Sequence, residues 1–454
     1  MIGAGPAGLM AALSAKQAGH SCTVIEAADH VGGMAASFEV AGQRVDLGSH
    51  RLHPATDAVL FELIRSLLGD DLQERERNGR IRVGGRWVRF PLQPVDMIRS
   101  LPPSFTAMAA GDTLLRPLRR RRSESFAAAV ESGLGPTVAR ELYAPYARKL
   151  YGVDAADLDA ELARRRMAAR SPAAILARLA RGAKPSGRRF YYPRHGYGQI
   201  SDRLAAAAVA AGVDLRLGQP VDQVAVTPGG VAVRSGRSEH HAEVVLSSMP
   251  VAGLARALDP PPPAEVQVAI AAVRVRAMVL VYLVVEGDRY TPFDAHYLPG
   301  AGSRVTRLSE PKNYRSNPRD PAGRTVLCAE LPCWPSEAVW VRGDGELSGI
   351  VAGELDALGL PPIELIDVEV RRLRSVYPVY ERATAPARRV IEAWARSLHR
   401  VVSLGRQGLG VPDNLHHVLA MGDAAAAALG AGGTFDRVAW SGDLDRFAAH
   451  VVED

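Results

Sequence analysis

The sequence predicts an α/β chain that opens on a nucleotide-binding turn, and three observations carry that expectation. Gly3, Gly5 and Gly8 form G-x-G-x-x-G directly after an apolar start. Residues 7–18 are good helix formers, and Gly19 suits the C-terminal stop. Thr23-Val24-Ile25 then reads as a buried parallel strand ended by Glu26, 18 positions past Gly8. The first glycine permits a tight turn, the second lets a pyrophosphate approach the backbone, and the third lets helix pack on strand. Helix amides from about Ala7 onward, just after Pro6, point where phosphates would lie, and the dipole there favours an anion. The acid is placed to bond a ribose hydroxyl. Glycine-rich turns alone are common. Strand, glycines, helix, strand and acid in that order describe a Rossmann-like unit.

The next stretch narrows the nucleotide. Asp29-His30-Val31-Gly32-Gly33, followed by Met34, stands directly after Glu26. Gly42-Gln43-Arg44-Val45-Asp46-Leu47-Gly48-Ser49-His50-Arg51-Leu52-His53 comes soon after. The first resembles the second glycine motif of two-dinucleotide-binding-domain flavoproteins. With the second, the chain resembles the flavin amine oxidase superfamily, in the branch of protoporphyrinogen-oxidase-like proteins and UDP-galactopyranose mutase. The resemblance implies FAD as cofactor. It implies that Gly48, Ser49, His50 and His53 run along the flavin, with Gly32, Gly33 and Met34 also at the cofactor. Relatives carry four or five apolar residues before the first glycine. Here only Met1-Ile2 precede it, a length that loses ladder bonds, so the start is expected to be misassigned or trimmed.

The 454 residues are too many for one core, so two domains are expected. The longest apolar run, Ala277 to Val285, is far too short to span a bilayer. No leader precedes the glycine motif, and Cys22, Cys328 and Cys333 make no disulfide or zinc pattern, so a cytoplasmic location is expected. The net charge of +6 rests on Arg, with only Lys16, Lys149, Lys184 and Lys312 as lysines. Arg119 to Arg122 reads as a solvated helix end or an anion-touching patch. No nucleic-acid module accompanies it, so a small-molecule substrate is expected, without nucleic acid or a membrane segment.

Residues 55–185 read as mainly helical, with apolar spacing from Val59 through Leu68. Gly84-Gly85 is a hairpin turn signal inside Arg82 to Leu92. Tyr143, Tyr146 and Tyr151 line a pocket or pack a core. Phe190 to Gln199 returns to the nucleotide-binding part, ahead of a helix at 201–212 and a strand at 213–217. Gln219-Pro220-Val221 resembles the family segment whose valine backbone meets the adenine. Strands at 222–226 and 230–235 follow, then a buried strand at Val244 to Pro250, and Pro260 to Pro263 is a rigid boundary. Residues 265–395 alternate at strand period, with strand regions at Val268 to Val285 and Thr325 to Leu331, and a helix at 385–398 leads back.

Val401-Val402-Ser403-Leu404-Gly405-Arg406 resembles the last cofactor signature. The resemblance places Gly405 and Arg406 at the ribityl and pyrophosphate. It also aims a helix starting near Asp413-Asn414-Leu415-His416 at the pyrimidine edge, where its positive end stabilises negative charge. Gly422-Asp423 is a weaker competitor inside that helix.

The fold expected is thus a discontinuous Rossmann-like FAD-binding domain (1–57, 190–258 and 396–454) and a mixed α+β substrate domain (58–189 and 259–395). The chemistry expected is hydride transfer from a small or medium biosynthetic substrate to flavin N5. The alternative is non-redox use of the flavin on a sugar nucleotide, as in UDP-galactopyranose mutase. Leu409-Gly410-Val411-Pro412 lacks the tyrosines that mutases carry there. The lysine of amine oxidases has only Lys312 as a counterpart. His53, His50 and His416 are the candidate bases, each equally able to bond backbone or flavin carbonyls. Arg86, Arg89, Arg274, Arg276, Arg304 and Arg307 are candidates for clamping an anionic substrate.

Overall fold

The N-terminal strand occupies the middle of a parallel sheet although only Met1 and Ile2 build it. Ile2 donates to Leu246 O at 2.8 Å and Gly3 to Ile25 O at 2.8 Å, so both flanks are paired. In this computed structural model, which describes residues 1–92, 94–115, 124–166 and 189–452, the sheet runs Asp214–Arg216, Thr23–Ile25, Ile2, Val245–Ser247, Val401–Ser403, all parallel. Arg119 to Arg122 lies outside the described residues.

Helix Pro6–Gln17 leaves this sheet with Leu9, Ala11 and Ala12 buried. It lies against helix Leu415–Ala427, where Gly422 allows close approach. A Cβ on Gly422 would stand 2.3 Å from Ala7 O. Ser14 Oγ donates to Asp423 Oδ1 at 2.7 Å. The Gly-Asp pair therefore serves helix packing, not a cofactor strand end. Helix Gln199–Ala210 adds Ile200 and Leu204 to a core with Leu9, Leu13 and Val24.

The second large sheet has seven strands in the order Leu365–Pro378, Val275–Glu286, Arg324–Cys333, Arg307–Ser309, Ala295–Tyr297, Gly79–Val83, Arg86–Phe90. Pairing is antiparallel except between Ala295–Tyr297 and Gly79–Val83. Within Val275–Glu286, the run Ala277 to Val285 is apolar and buried because it is covered on both faces. Val279, Val281 and Leu283 pack on Leu347, Val351 and Leu355 of helix Asp344–Ala357. Met278, Leu280 and Tyr282 point the other way, onto Val40 and Val45 of the Ser37–Val40/Gln43–Asp46 hairpin. Period-two geometry separates the two sets.

Several expectations change. Val268 is not part of the strand: Ala264–Ala272 is a helix and the strand begins at Val275. The preceding Pro263 suits a helix start, which the apolar alternation concealed. Residues 55–92 are not mainly helical. Leu72–Glu76 is a strand paired with Arg189–Pro193, a partner more than a hundred positions away. Ser238–Ala242 is a further strand, and Asp344–Ala357 interrupts the stretch read as alternating. The Gly84-Gly85 hairpin forms as expected, with positive φ at both glycines. Among the described residues no helix is long and apolar enough to cross a membrane. The three cysteines are free.

Candidate functional site

The glycine turn has the close approaches its spacing implied. A Cβ on Gly8 would lie 2.0 Å from Gly3 O, and one on Gly3 would meet Ser248 Oγ at 2.4 Å. Gly5 is different: a Cβ there meets nothing within 4 Å. It borders a cavity of about 640 Å³ lined also by Gly3, Pro6, Ala7 and Glu26 at one end. Glu26 is locked to the turn, its carboxylate accepting from Ala4 N at 2.6 Å and Ala28 N at 2.9 Å. Gly32 donates to Ala4 O at 2.9 Å, which sets the second glycine motif beside the first. Gly33, Met34 and Val221 line the cavity next to Glu26.

Two helix N-termini border the same space. Pro6 and Ala7 begin one helix, and Asn414, Leu415 and Val418 belong to the start of another. The amide of Asn414, its cap residue, donates to His417 Nδ1 at 3.3 Å. The helix dipole at both ends favours a ligand that carries negative charge at two places. Gly405 sits between them with positive φ, and a Cβ there would press on Ala7 Cβ at 2.9 Å. Arg406 donates to Asp413 O at 3.1 Å and Val376 O at 2.9 Å. Its buried Nε has no partner, and burial together with nearby Arg166 lowers its pKa.

The opposite wall comes from the seven-stranded sheet. Gly48, Ser49, His50 and Arg51 run past Met278, Leu280, Leu373 and Tyr377. Arg307 and Glu330 face each other across the register of their strands as a bidentate pair, Nε to Oε1 at 2.9 Å and Nη2 to Oε2 at 3.0 Å. The pair grips the Gly48–His50 segment from both sides. Ser49 N donates to Glu330 Oε1 at 2.9 Å, and Arg307 Nη2 donates to Ser49 O at 3.1 Å. Ser49 Oγ lies 2.5 Å from Tyr314 OH. Arg51 reaches Asp294 at 3.2 Å and lies over the Tyr314 ring.

Of the three candidate histidines, His50 lines the cavity and the other two do not. His50 Nε2 is 3.0 Å from Leu47 O and its ring stacks on Tyr197. Burial lowers its pKa, so it is neutral near pH 7. His53 is 6% exposed, its Nδ1 accepts from Ala55 N at 3.0 Å, and its ring faces His416 at 6.4 Å. His53 and His416 are both buried, and neither is among the residues that line the cavity. Lys312 is also elsewhere, donating to Pro321 O and Arg324 O. Arg86, Arg89, Arg274, Arg276 and Arg304 lie away from the cavity, and Arg307 alone of that set reaches it. Sequence reasoning missed Arg77, Arg166 and Glu330. Glu330 had a signal, as the single acid in the apolar run Thr325 to Leu331.

The elongated cavity fits a dinucleotide. Open space at Gly5, the acid beside it, two helix N-termini and the unpartnered Arg406 Nε suit the adenosine, pyrophosphate and ribityl parts of one ligand. These features define a dinucleotide-binding flavoprotein. The family described as flavin containing amine oxidoreductase matches residues 6–410, and the chain belongs to it; the cofactor is FAD. A crystal structure of reduced UDP-galactopyranose mutase is similar with a TM-score of 0.80 and 18% identity, covering 100% of this chain and 99% of that one. A protein from Exiguobacterium sp. 255-15, provisionally named a protoporphyrinogen oxidase, has a TM-score of 0.74 and 18% identity over 94% of this chain and 97% of that one. A Mycobacterium tuberculosis protein provisionally named flavin-containing monoamine oxidase AofH is 39% identical over 80 residues. That match spans 18% of this chain and 17% of the relative.

Proposed function

We propose that the chain is an FAD-dependent dehydrogenase or oxidase acting on a C–H bond of a small or medium organic substrate. One observation carries the reading. A single cavity joins the glycine turn to a wall of Met278, Leu280, Leu373 and Tyr377, with the Arg307–Glu330 pair set in it. FAD supplies a hydride acceptor at N5 when bound. The chain's part is to bind, orient and exclude water. Gly3, Gly5, Pro6, Ala7, Gly8 and Glu26 take the adenosine and pyrophosphate, and Gly405 and Arg406 the ribityl side. Gly48, Ser49 and His50 lie along the ring, their backbone fixed by Arg307 and Glu330. His50 is the one candidate histidine in position to exchange a proton with a bound molecule.

An amine substrate is disfavoured: among the described residues no lysine lines the cavity. A second reading has one observation of its own. Arg166 and Arg406 both lie on the Tyr377 ring, at 5.3 and 5.7 Å, a cationic and phenolic set suited to a diphosphate. It favours a sugar nucleotide and non-redox use of the flavin. Anaerobic flavin spectroscopy separates the two. Bleaching of the oxidised enzyme by a substrate supports dehydrogenation. Turnover seen only after dithionite reduction, with no net redox change, overturns it in favour of the second.

A further inference from the structure

Behind the helix N-terminus at Asn414, three metal-ligating side chains converge. Asp413 immediately precedes the cap residue, and its side chain is fully enclosed. His417 is in the first turn of that helix, and His450 follows the end of helix Arg437–Ala448. One ligand atom from each lies within 4.8 Å of the others. His450 Nδ1 is 2.8 Å from Asp413 Oδ2, and His417 Nδ1 is 4.0 Å from the same oxygen.

A simple aspartate–histidine pair accounts for Oδ2 and His450 only. It leaves Asp413 Oδ1 buried with no hydrogen-bond partner. A carboxylate oxygen in that condition costs free energy unless a cation faces it. Nor does the pair explain a second imidazole drawn to the same carboxylate. No hydrogen bond reaches Oδ1 from the two nearby guanidiniums: Arg406 donates through Nη1 and Nη2 to backbone carbonyls and Arg165 through Nε to Glu161 Oε1 at 3.0 Å, while Arg406 Nε and Arg165 Nη1 are themselves without a partner.

We propose that Asp413, His417 and His450 form a site for a divalent transition cation, zinc being suited to two imidazoles and a carboxylate. The fourth position is left to water, entering past the partly exposed edges of His417 and His450. Binding requires one rearrangement. The His417 and His450 rings now stack at 4.0 Å and 16°, and parallel rings cannot both aim an in-plane lone pair at one ion. His417 therefore turns out of the stack, releasing the 3.3 Å bond from the Asn414 amide and its 4.1 Å contact with the His416 ring. The metal would clamp the start of the helix bordering the flavin cavity to the C-terminal helix, beside the FAD site without entering it.

The test uses the flavin-loaded protein after chelator dialysis. Titration with zinc alone, followed by metal analysis, is expected to leave one equivalent per chain and to raise Tm. Cobalt in place of zinc is expected to give visible ligand-field absorption. His450→Gln and, separately, His417→Gln are expected to weaken zinc binding about a hundredfold or more with flavin absorbance unchanged. Flavin-loaded parent protein that retains no zinc after dialysis and shows no cobalt absorption overturns the site, whatever the variants do. So do folded variants that bind zinc as tightly as the parent, since that places the metal elsewhere.

Discussion

Gly5 and Gly8 stand three residues apart in one turn and answer different demands. Gly8 has backbone against it, 2.0 Å from where a Cβ would go, so Gly8→Ala is expected to cost about 2–3 kcal/mol, read as lost denaturant stability. Gly5 has open space and extended φ/ψ of −72° and 173°, which any residue adopts. Gly5→Val should therefore keep its Tm without cofactor yet purify colourless. A yellow Gly5→Val protein would move the pyrophosphate away from this turn. His296 carries a separate prediction about pH. Burial, with Arg80 adding, pushes its pKa down to about 3, while an unfolded imidazole protonates near 6.5. The unfolded chain therefore binds more protons between those values, and stability falls as pH drops through that window. Its ring sits edge-on to Trp87 and Phe293, a setting phenylalanine can share. His296→Phe should be more stable than the parent at pH 4.5 by about 2–3 kcal/mol beyond any difference at pH 7, measured by urea unfolding.

Between elements, the Arg307–Glu330 pair ties two sheet strands to the segment that follows the Gln43–Asp46 strand. Glu330→Ala leaves a largely enclosed guanidinium without its carboxylate and is expected to cost about 3 kcal/mol. Pairing it with Arg307→Met should recover most of that stability while flavin affinity stays low, because Ser49 loses both its anchors. Full flavin binding in the double variant would show the anchors to be dispensable. The elements that were legible in the sequence are those whose signals are local. The Gly3–Gly8 turn, the Gly84-Gly85 hairpin and the helix capped by Asn414 each announce themselves within a few residues. Leu72–Glu76 does not, because its pairing comes from Arg189–Pro193 and its own composition is charged. Ala264–Ala272 was hidden by apolar residues at every second position, a spacing that suits either period over so short a run. The same distinction holds in the site. Nucleotide-side residues form contiguous motifs, whereas Glu330, Arg77 and Arg166 reach the cavity only through strand register and tertiary packing.

For the whole molecule, the cavity draws on segments spread from Ile2 to Val452. The division into an FAD-binding unit (1–57, 190–258, 396–454) and a substrate unit (58–189, 259–395) is our proposal for how those parts are grouped. It predicts that FAD protects both groups at once. Hydrogen exchange on apo and FAD-loaded protein should slow at 3–8 and 405–418 and also at 278–280 and 373–377, with a rise in Tm set by flavin concentration. Protection confined to the first two segments would mean that the sheet wall takes no part in holding the cofactor.

The strand that Met1 and Ile2 contribute has one more implication, for the order of events during synthesis. Ser247, a pairing partner of Ile2, emerges from the ribosome more than two hundred residues after it, and the outer Val401–Ser403 strand later still. At about 5–20 residues per second, the nascent chain waits roughly 20–80 s before the parallel sheet can close. Through that interval Ile2 can pair with Ile25 on one side but not with Ser247 on the other, and the Leu415 helix that walls the cavity has not been made. Flavin loading is therefore expected to wait until the Leu415 helix has been made, late in the synthesis of this fold.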